Sequence, residues 1–286
     1  PPLVGLPTKI EVPGYPNHQI GPSPVARAAA AVYMERAGIP YDPPSQYIKV
    51  DKEFATRVAE WFDAVEHSPQ DPVVKASYEA MINETLAQWE IIKETGLEVG
   101  FITEEMLAST GDPYASTPRQ ATADIVENNH FWVFPSDFGF GSDATFDPED
   151  NPLLAKTGEI IDGKEVVAND IFRIVHDFFG HTKEGNGFRA TGEDNAFRSH
   201  IAMYTPLAQP AMAMETRGQN SWVNYGPHGE TNRTASAEDT HFADQKINLP
   251  PDWVVDGPSD SNPVFAARRR SSAAKLRQSG QVITEG

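Results

Sequence analysis

The sequence predicts a mainly α-helical fold with a few short β-strands, which places the chain in the α+β class. The first observation is apolar spacing: residues 54–65 and 74–89 repeat apolar side chains every three or four positions, as one face of a helix does. The second is a set of helix-start signals in which Ser or Asp stands just before Pro. The third is that the strand-like runs are short and follow no strand–helix alternation, so no parallel sheet is required.

Three helices are expected in the first hundred residues. Cap residues and a proline at the first helical position mark where they begin, and a glycine marks where two of them end. The expected helices run from Ser23-Pro24 to Gly38, over residues 54–66 with Asp51 as the cap, and from Asp71-Pro72 to the residue before Gly96.

Strands are expected in the middle of the chain, followed by a return to helices. The pair Asp162-Gly163 is typical of a tight hairpin turn. The remaining expected elements are strands over 97–102 and 130–134, a helix beginning at Thr117-Pro118, a hairpin over 159–167, helices over 170–179, 194–204 and 207–222, and a short helix near 242–246 within a loop-rich stretch.

Composition divides the chain into three parts. Residues 1–22 are rich in Pro and Gly and predict an extended N-terminal arm. Residues 23–262 predict a single catalytic domain, because 240 residues can share one core. Residues 263–286 contain Arg268, Arg269 and Arg270 and predict a basic C-terminal tail, whose ordinary interpretation is a solvated helix.

The charge and the amino-acid usage exclude several classes of function. A net charge of -18 repels phosphate backbones, so we expect no general nucleic-acid binding. No apolar run approaches the roughly 20 residues of a membrane span, and no signal segment opens the chain, so we expect a soluble cytoplasmic protein without a membrane partner. The chain has no Cys, which leaves His, Asp and Glu as ligands for iron, zinc or manganese.

The most informative stretch ends a predicted helix with two histidines, His176 and His181. Five residues rotate an α-helix by roughly 140°, which would point the two rings apart. We expect Gly180 to end the helix with a left-handed turn and to bring His181 back toward His176. The surrounding residues are apolar, and a buried imidazole needs a partner. The alternative is that one ring only bonds a backbone carbonyl.

A carboxylate is expected to complete the site, and Glu215 is the first candidate. It follows small and apolar residues on a predicted helix, where a carboxylate is costly unless it is paired or bound to a metal. Its alternative is an ion pair with Arg217 or Arg198. Residues interpreted as outer or surface groups, or as alternative ligands, are Glu184, Glu193, Asp194 and His200.

The run from His176 to His181 resembles the iron-binding motif of the pterin-dependent aromatic amino acid hydroxylases. In that family a His is followed by an acidic residue, two mostly apolar residues, Gly and a second His, and a Glu on a downstream helix is the third ligand. Glu215, 34 residues after His181, is similar in placement. The resemblance covers the motif and about 40 further residues, so it implies iron more directly than pterin, and pterin more directly than an aromatic substrate.

The resemblance implies a hydroxylase-like catalytic domain in which His176, His181 and Glu215 hold Fe(II). Dioxygen and a small organic, amino-acid-like substrate would be its partners, and a tetrahydropterin its electron donor. Asp177 matches an acidic residue near the pterin, and Arg217 is a candidate catalytic residue that orients the substrate. The other expected pocket residues are Arg173, Phe178, Phe179, Gln219, Asn220, Trp222 and Tyr225.

Three other functions remain open from the sequence. The same ligands suit a zinc hydrolase with Asp177 or Glu184 as the general base. The pair His176-Asp177 also fits an HD-type phosphohydrolase with His130 as an upstream ligand. A structural or virion-associated protein with a stabilising metal is the non-enzymatic alternative, and it would close the site with four protein ligands. The sequence leaves the oligomeric state open.

Overall fold

The protein is described by a computed structural model over residues 21–41, 47–115, 117, 119–137, 147–235 and 239–258. These residues are mainly helical with a few short strands, which confirms the predicted fold class. Most of the expected N-terminal arm and the whole expected basic tail lie outside them. Within the described residues, no helix is both long enough and apolar enough to cross a bilayer.

The three N-terminal helices are confirmed, together with their caps. They are α1 (Pro24–Ala37), α2 (Lys52–Ala64) and α3 (Pro72–Glu94). The side chains of Ser23, Asp51 and Asp71 each accept a hydrogen bond from a backbone N–H in the first turn that follows, which satisfies donors that a helix start leaves free. Gly38 adopts a left-handed φ of 67° at the end of α1.

A small parallel sheet lies where only isolated strands were expected. Strand β1 (Glu98–Phe101) pairs in parallel with β2 (His130–Val133). Helices α4 (Glu104–Ser109) and α5 (Arg119–Asn128) form the connection between them. Helix α4 and this pairing are not predicted by the sequence, because a six-residue helix carries too little periodicity to be recognised. Pro118, expected to open α5, lies outside the described residues.

The predicted hairpin is confirmed and begins three residues earlier than expected. It consists of β3 (Lys156–Ile161) and β4 (Lys164–Val167), which pair antiparallel. Asp162 and Gly163 have φ values of 51° and 74°. Two successive positive φ values are what a two-residue turn of the mirror-image type requires.

The second half of the chain is helical, and two of its helices contain a π-helical turn. Helix α6 (Ala168–His176) continues into the first π turn, Asp177–Thr182. Helix α7 (Ala190–Ile201) begins four residues before the expected start. Helix α8 (Gln209–Ala213), the second π turn (Met214–Gly218) and α9 (Gln219–Tyr225) form one continuous segment, followed by the short helices α10 (Gly229–Asn232) and α11 (Asp252–Asp256).

The prediction of a short helix near residues 242–246 is wrong. Residues 241–250 have no regular secondary structure, and two of their backbone N–H groups bond to side chains elsewhere. The backbone N–H of His241 donates to the side chain of Asn232, and that of Ile247 donates to His67 Nδ1. The side chain of Lys246 donates to the carbonyls of Phe62 and Asp63, which fixes this stretch against the end of α2.

Helix α6 lies between two apolar clusters. Ile171, Ile174 and Val175 belong to the first cluster, with residues of α1, α3 and the parallel strands. Phe172 belongs to the second, with residues of α3, α7 and α8. Since each fully buried side chain of this kind contributes roughly 1.5–3 kcal/mol, the helix that carries His176 is held firmly on both sides.

Candidate metal centre

The first π turn brings His176 and His181 together. Its hydrogen bonds join residues five apart, as in the 2.9 Å bond from the Lys183 N–H to the Phe178 carbonyl. A residue five positions on therefore lies nearly above its starting residue instead of roughly 140° around the helix axis. The two imidazole centroids are 5.2 Å apart, with ring planes at 88°.

Gly180 has a different role from the one expected. It does not end the helix in a left-handed conformation, because it lies within the π turn and is not among the residues of positive φ. A Cβ at this position would lie 2.9 Å from His176 Cε1 and 3.2 Å from the Ala196 carbonyl oxygen. Gly180 is thus needed because the His176 ring and helix α7 approach its backbone closely.

The structure places Glu193 beside the two histidines. His176, His181 and Glu193 each offer one ligand atom, and these atoms lie within 4.8 Å of one another. Among the described residues this is the only such group of three or more. His181 Nε2 is 3.4 Å from Glu193 Oε2, close to the ~3–3.5 Å that separates two ligands on one metal when the bonds are about 2.1 Å long.

Glu193 reaches the site because Gly192 allows helix α7 to start against the preceding loop. A Cβ on Gly192 would lie 1.9 Å from the carbonyl oxygen of Gly187, so no other residue fits without moving that backbone. Asn220 on α9 donates a hydrogen bond of 3.2 Å to Glu193 Oε2. The polar neighbours of Glu193 favour an outer or surface role, so the sequence does not predict it as the third ligand. The one signal in the sequence is the glycine directly before it.

The prediction of Glu215 as the third ligand is corrected. Glu215 lies on the second π turn, where its Oε1 accepts a 2.5 Å hydrogen bond from Tyr78 and its Oε2 accepts one of 2.6 Å from Gln219. Burial raises the pKa of Glu215 to about 7, although both hydrogen bonds oppose the rise. This carboxyl group is satisfied by protein donors and does not join the histidine pair.

One nitrogen of His176 has no partner among the described residues. Its Nε2 atom is buried and makes no hydrogen bond within the described residues, which is costly for a polar atom unless a ligand satisfies it. His200, considered as an alternative ligand, lies on the other side of the ring, where its Nδ1 is 3.0 Å from His176 Nδ1. Burial lowers the pKa of both His176 and His200 well below the usual value.

His181 is held on three sides. Its Nδ1–H donates to the backbone carbonyl of Asn186 at 3.3 Å, and its ring stacks on Phe188 with a centroid distance of 4.1 Å. Its Nε2 therefore faces Glu193 and Asp177. Burial lowers the pKa of His181, but the attraction of the two carboxylates and the bond to Asn186 outweigh it and raise the pKa overall.

Asp177 lies next to the group without belonging to it. Its Oδ1 is 3.9 Å from His181 Nε2, and about a quarter (26%) of its side chain is exposed. Burial raises the pKa of Asp177 to about 6, and nearby Glu193 adds to the rise, whereas His181 and Arg173 oppose it. A partly exposed carboxyl group at this distance can exchange a proton with a molecule bound beside the three ligands.

Most of the expected pocket residues do not face the histidine pair. Phe178 and Phe179 are core side chains with 1% and 0% exposure. Trp222 donates to Asp63, and Gln219 to Glu215. Three expected pocket residues are connected to the centre. Asn220 bonds Glu193, and Tyr225 lines a pocket with Glu193. The charge of Arg173 acts on Asp177, and its guanidinium donates to the Phe134 carbonyl.

Arg217 is used for packing in this structure. Its guanidinium pairs with Asp194 at 2.8 Å, donates to the Val254 carbonyl and stacks 4.0 Å above the Phe197 ring. This buried ion pair ties the second π turn to α7, one residue after Glu193. A small, partly open pocket beside Glu193 is also lined by Arg217, Asp194, Asn220 and Tyr225.

Two further sequence candidates lie elsewhere. Glu184 forms a 2.5 Å ion pair with Arg27 of α1. His130, the upstream ligand of the phosphohydrolase interpretation, pairs with Asp124 at 2.8 Å. Neither residue belongs to the group of possible ligands.

Comparisons of this chain with protein-family models, with curated proteins and with solved structures found no match.

Proposed function

We propose that this protein is a metal-dependent enzyme whose ion is held by His176, His181 and Glu193. The proposal rests on two observations: one ring nitrogen of each histidine and a Glu193 oxygen lie within 4.8 Å of one another, and the buried Nε2 of His176 has no partner among the described residues. Two neutral imidazoles and a carboxylate form a mixed N/O set suited to iron, zinc or manganese. No thiolate competes, because the chain lacks Cys.

Within this proposal the first candidate is a non-haem Fe(II) oxygenase. Two histidines and one carboxylate leave coordination positions open for dioxygen and a substrate, and ferrous iron in such a set supplies oxygen activation. The motif from His176 to His181, with its resemblance to the pterin-dependent hydroxylases, supports iron. We therefore propose a hydroxylase-like domain that acts on a small, amino-acid-like substrate with a tetrahydropterin as electron donor, and with Glu193 instead of Glu215 as the carboxylate ligand.

Other residues of the chain orient the proposed ligands, and one of them can hold or release a proton. Phe188 and Asn186 fix the plane of the His181 ring, and Asn220 orients Glu193. Ligand orientation by such outer contacts raises metal affinity. Asp177 lies where it can hold or release a proton beside the bound substrate.

The position of Asp177 also favours a second candidate, a zinc hydrolase. A carboxylate 3.9 Å from a ligand nitrogen is well placed to take a proton from a water molecule that zinc has activated. The two candidates share the same ligands and differ in the metal and in whether dioxygen takes part.

Metal analysis of the purified protein tests the ligand set. We expect about one ion per chain in the wild type and almost none in His176→Ala and His181→Ala. His228→Ala is the matched control, because His228 is exposed and lies outside the group. Full metal content in the His181 variant would overturn the proposal.

Nitric oxide added to the anaerobic Fe(II) protein separates the candidate functions. An open coordination position gives the EPR signal of a high-spin ferrous nitrosyl, which we expect for the oxygenase. Zinc as the retained metal, with hydrolysis that depends on Asp177, would support the hydrolase instead. A metal that binds neither nitric oxide nor water would indicate a closed structural site.

A further inference from the structure

We propose that His200 and Gln88 act as positioning residues that hold His176 in the tautomer whose Nε2 is free to bind a metal. The inference rests on the proposed metal centre and adds to it a chain of hydrogen bonds behind the ligand. His176 Nδ1 lies 3.0 Å from His200 Nδ1, and His200 Nε2 lies 2.8 Å from Gln88 Oε1. The three residues come from α6, α7 and α3, and His200 and Gln88 are completely buried.

The donor and acceptor in each of these hydrogen bonds follow from the number of hydrogens that each side chain carries. An amide oxygen can only accept, so His200 Nε2 carries the hydrogen that is donated to Gln88. A neutral imidazole has one N–H, and burial favours the neutral form. His200 Nδ1 is therefore an acceptor, and His176 Nδ1 must be the donor to it. The single hydrogen of His176 is then on Nδ1, and its Nε2 keeps a lone pair.

The amide of Gln88 is oriented with its oxygen toward His200 Nε2. Its buried Nε2 makes no hydrogen bond within the described residues. With the amide reversed, Gln88 would donate to His200 Nε2, and His200 Nδ1 would donate to His176 Nδ1. The single hydrogen of His176 would then be on Nε2. That nitrogen could then bind no metal. The buried amide of α3 thus decides which nitrogen of His176 is available.

Packing fixes the rings in addition to the hydrogen bonds. Phe172 stacks on both His176 and His200, with ring centroids 6.0 and 6.4 Å away. Partners behind a ligand histidine typically contribute 10–100-fold to metal affinity. We expect a loss of affinity in the same range here, because the His176 ring would populate both tautomers without these hydrogen bonds.

Two substitutions of Gln88 distinguish positioning from packing. Gln88→Leu fills similar space without an acceptor, and Gln88→Glu keeps an acceptor but adds a buried carboxyl group. If the chain sets the tautomer, Gln88→Leu lowers the affinity for Co²⁺ or Fe²⁺ about 10–100-fold and changes the Co²⁺ absorption spectrum, whereas Gln88→Glu retains the affinity and the spectrum. If Gln88 only packs, the order is reversed because Leu suits an apolar site better, and that result overturns the inference.

Nitrogen NMR of the wild-type protein, labelled with ¹⁵N-histidine and free of metal, gives a second measurement that needs no variant to fold. We expect the hydrogen on Nδ1 in His176 and on Nε2 in His200. The opposite pattern would overturn the inference even if the protein binds metal. Failure of the wild type to bind any metal would instead contradict the proposed centre and leave the tautomer pattern as a separate, measurable result.

Discussion

The two π turns of this protein resemble each other in backbone and differ in how they treat their polar side chains. Each interrupts a helix of the second half, and each carries a residue that the sequence suggested as a metal ligand: His181 in the first and Glu215 in the second. At the first turn, His181 Nε2 faces Glu193, and Nε2 of His176, the residue just before the turn, has no partner among the described residues. In the second, Tyr78 and Gln219 occupy both oxygens of Glu215.

This difference shows what separates a ligand site from a buried polar contact. Both places contain a costly polar group in an apolar setting, and both satisfy the expectation that such a group needs a partner. In the second turn other side chains donate to both oxygens of Glu215, so this carboxyl group does not need an ion as a partner. At the first turn, His176 Nε2 has no partner among the described residues, and ligand atoms of His176, His181 and Glu193 lie within 4.8 Å of one another, where one ion could contact all three.

The largest expected effect is a loss of metal affinity when the carboxylate beside the first turn is neutralised, compared with the same change in the second turn. Glu193→Gln should weaken Fe²⁺ or Zn²⁺ binding at least about 100-fold, since a coordinating carboxylate and its charge are lost. Glu215→Gln should change it less than about threefold, because Gln keeps the hydrogen bonds to Tyr78 and, after rotation of its neighbour's amide, to Gln219. Chelator competition measures both affinities. Equal losses in the two variants would contradict the distinction between the turns.

A methyl group at Gly180 should disturb the first turn alone. In Gly180→Ala the new Cβ meets the His176 ring and the Ala196 carbonyl, and such crowding costs typically 1–3 kcal/mol. We expect the free energy of unfolding to fall by that amount and metal affinity to fall with it. Urea unfolding with and without metal is the measurement. A variant with wild-type stability and metal content would show that the close approach is absent in solution.

The second turn should make stability depend on pH. Because the pKa of Glu215 is raised to about 7, the folded protein keeps a proton between pH 4.5 and 7 that the unfolded chain has released. Stability from this group is therefore highest below pH 4.5 and falls as pH rises to 7, by at most about 1.4 kcal/mol per unit. Glu215→Gln should flatten this slope in urea unfolding measured at several pH values, and an unchanged slope would contradict the raised pKa.

The smallest effect is expected for Tyr78→Phe. The loss of one hydrogen bond to Glu215 should cost about 1 kcal/mol of stability and raise the pKa of Glu215 further, since the Tyr78 bond lowers it. Metal content should stay at the wild-type value. Thermal unfolding and metal analysis of this single variant test both expectations, and a loss of metal would indicate that the second turn takes part in the centre after all.

The sequence predicted well those features that local chemistry specifies. Ser23, Asp51 and Asp71 mark helix starts because their side chains bond to the next turn, and Asp162-Gly163 marks the hairpin because these residues tolerate positive φ. The convergence of His176 and His181 was also predicted, although from a left-handed turn that does not exist.

The errors concern features that only tertiary packing specifies. A π turn has no sequence signature comparable to a cap, so neither turn was foreseen, and the direction of Glu215 depends on that geometry. Glu193 was placed outside the site because its neighbours are polar, whereas its position depends on the contact between Gly192 and the Gly187 backbone. The parallel pairing of β1 and β2 joins residues about thirty positions apart. The local spacing of apolar residues cannot predict such a pairing.

The position of Glu193 also bears on how the centre assembles. All three proposed ligands fall between residues 176 and 193, whereas a ligand at position 215 would have required a much longer loop. The entropy lost on closing a loop grows with its length, so this short stretch is well suited to capture an ion early, before distant segments have docked. An ion bound there would join α6 to α7 and so act as a local organiser of folding, in addition to any part it takes in chemistry.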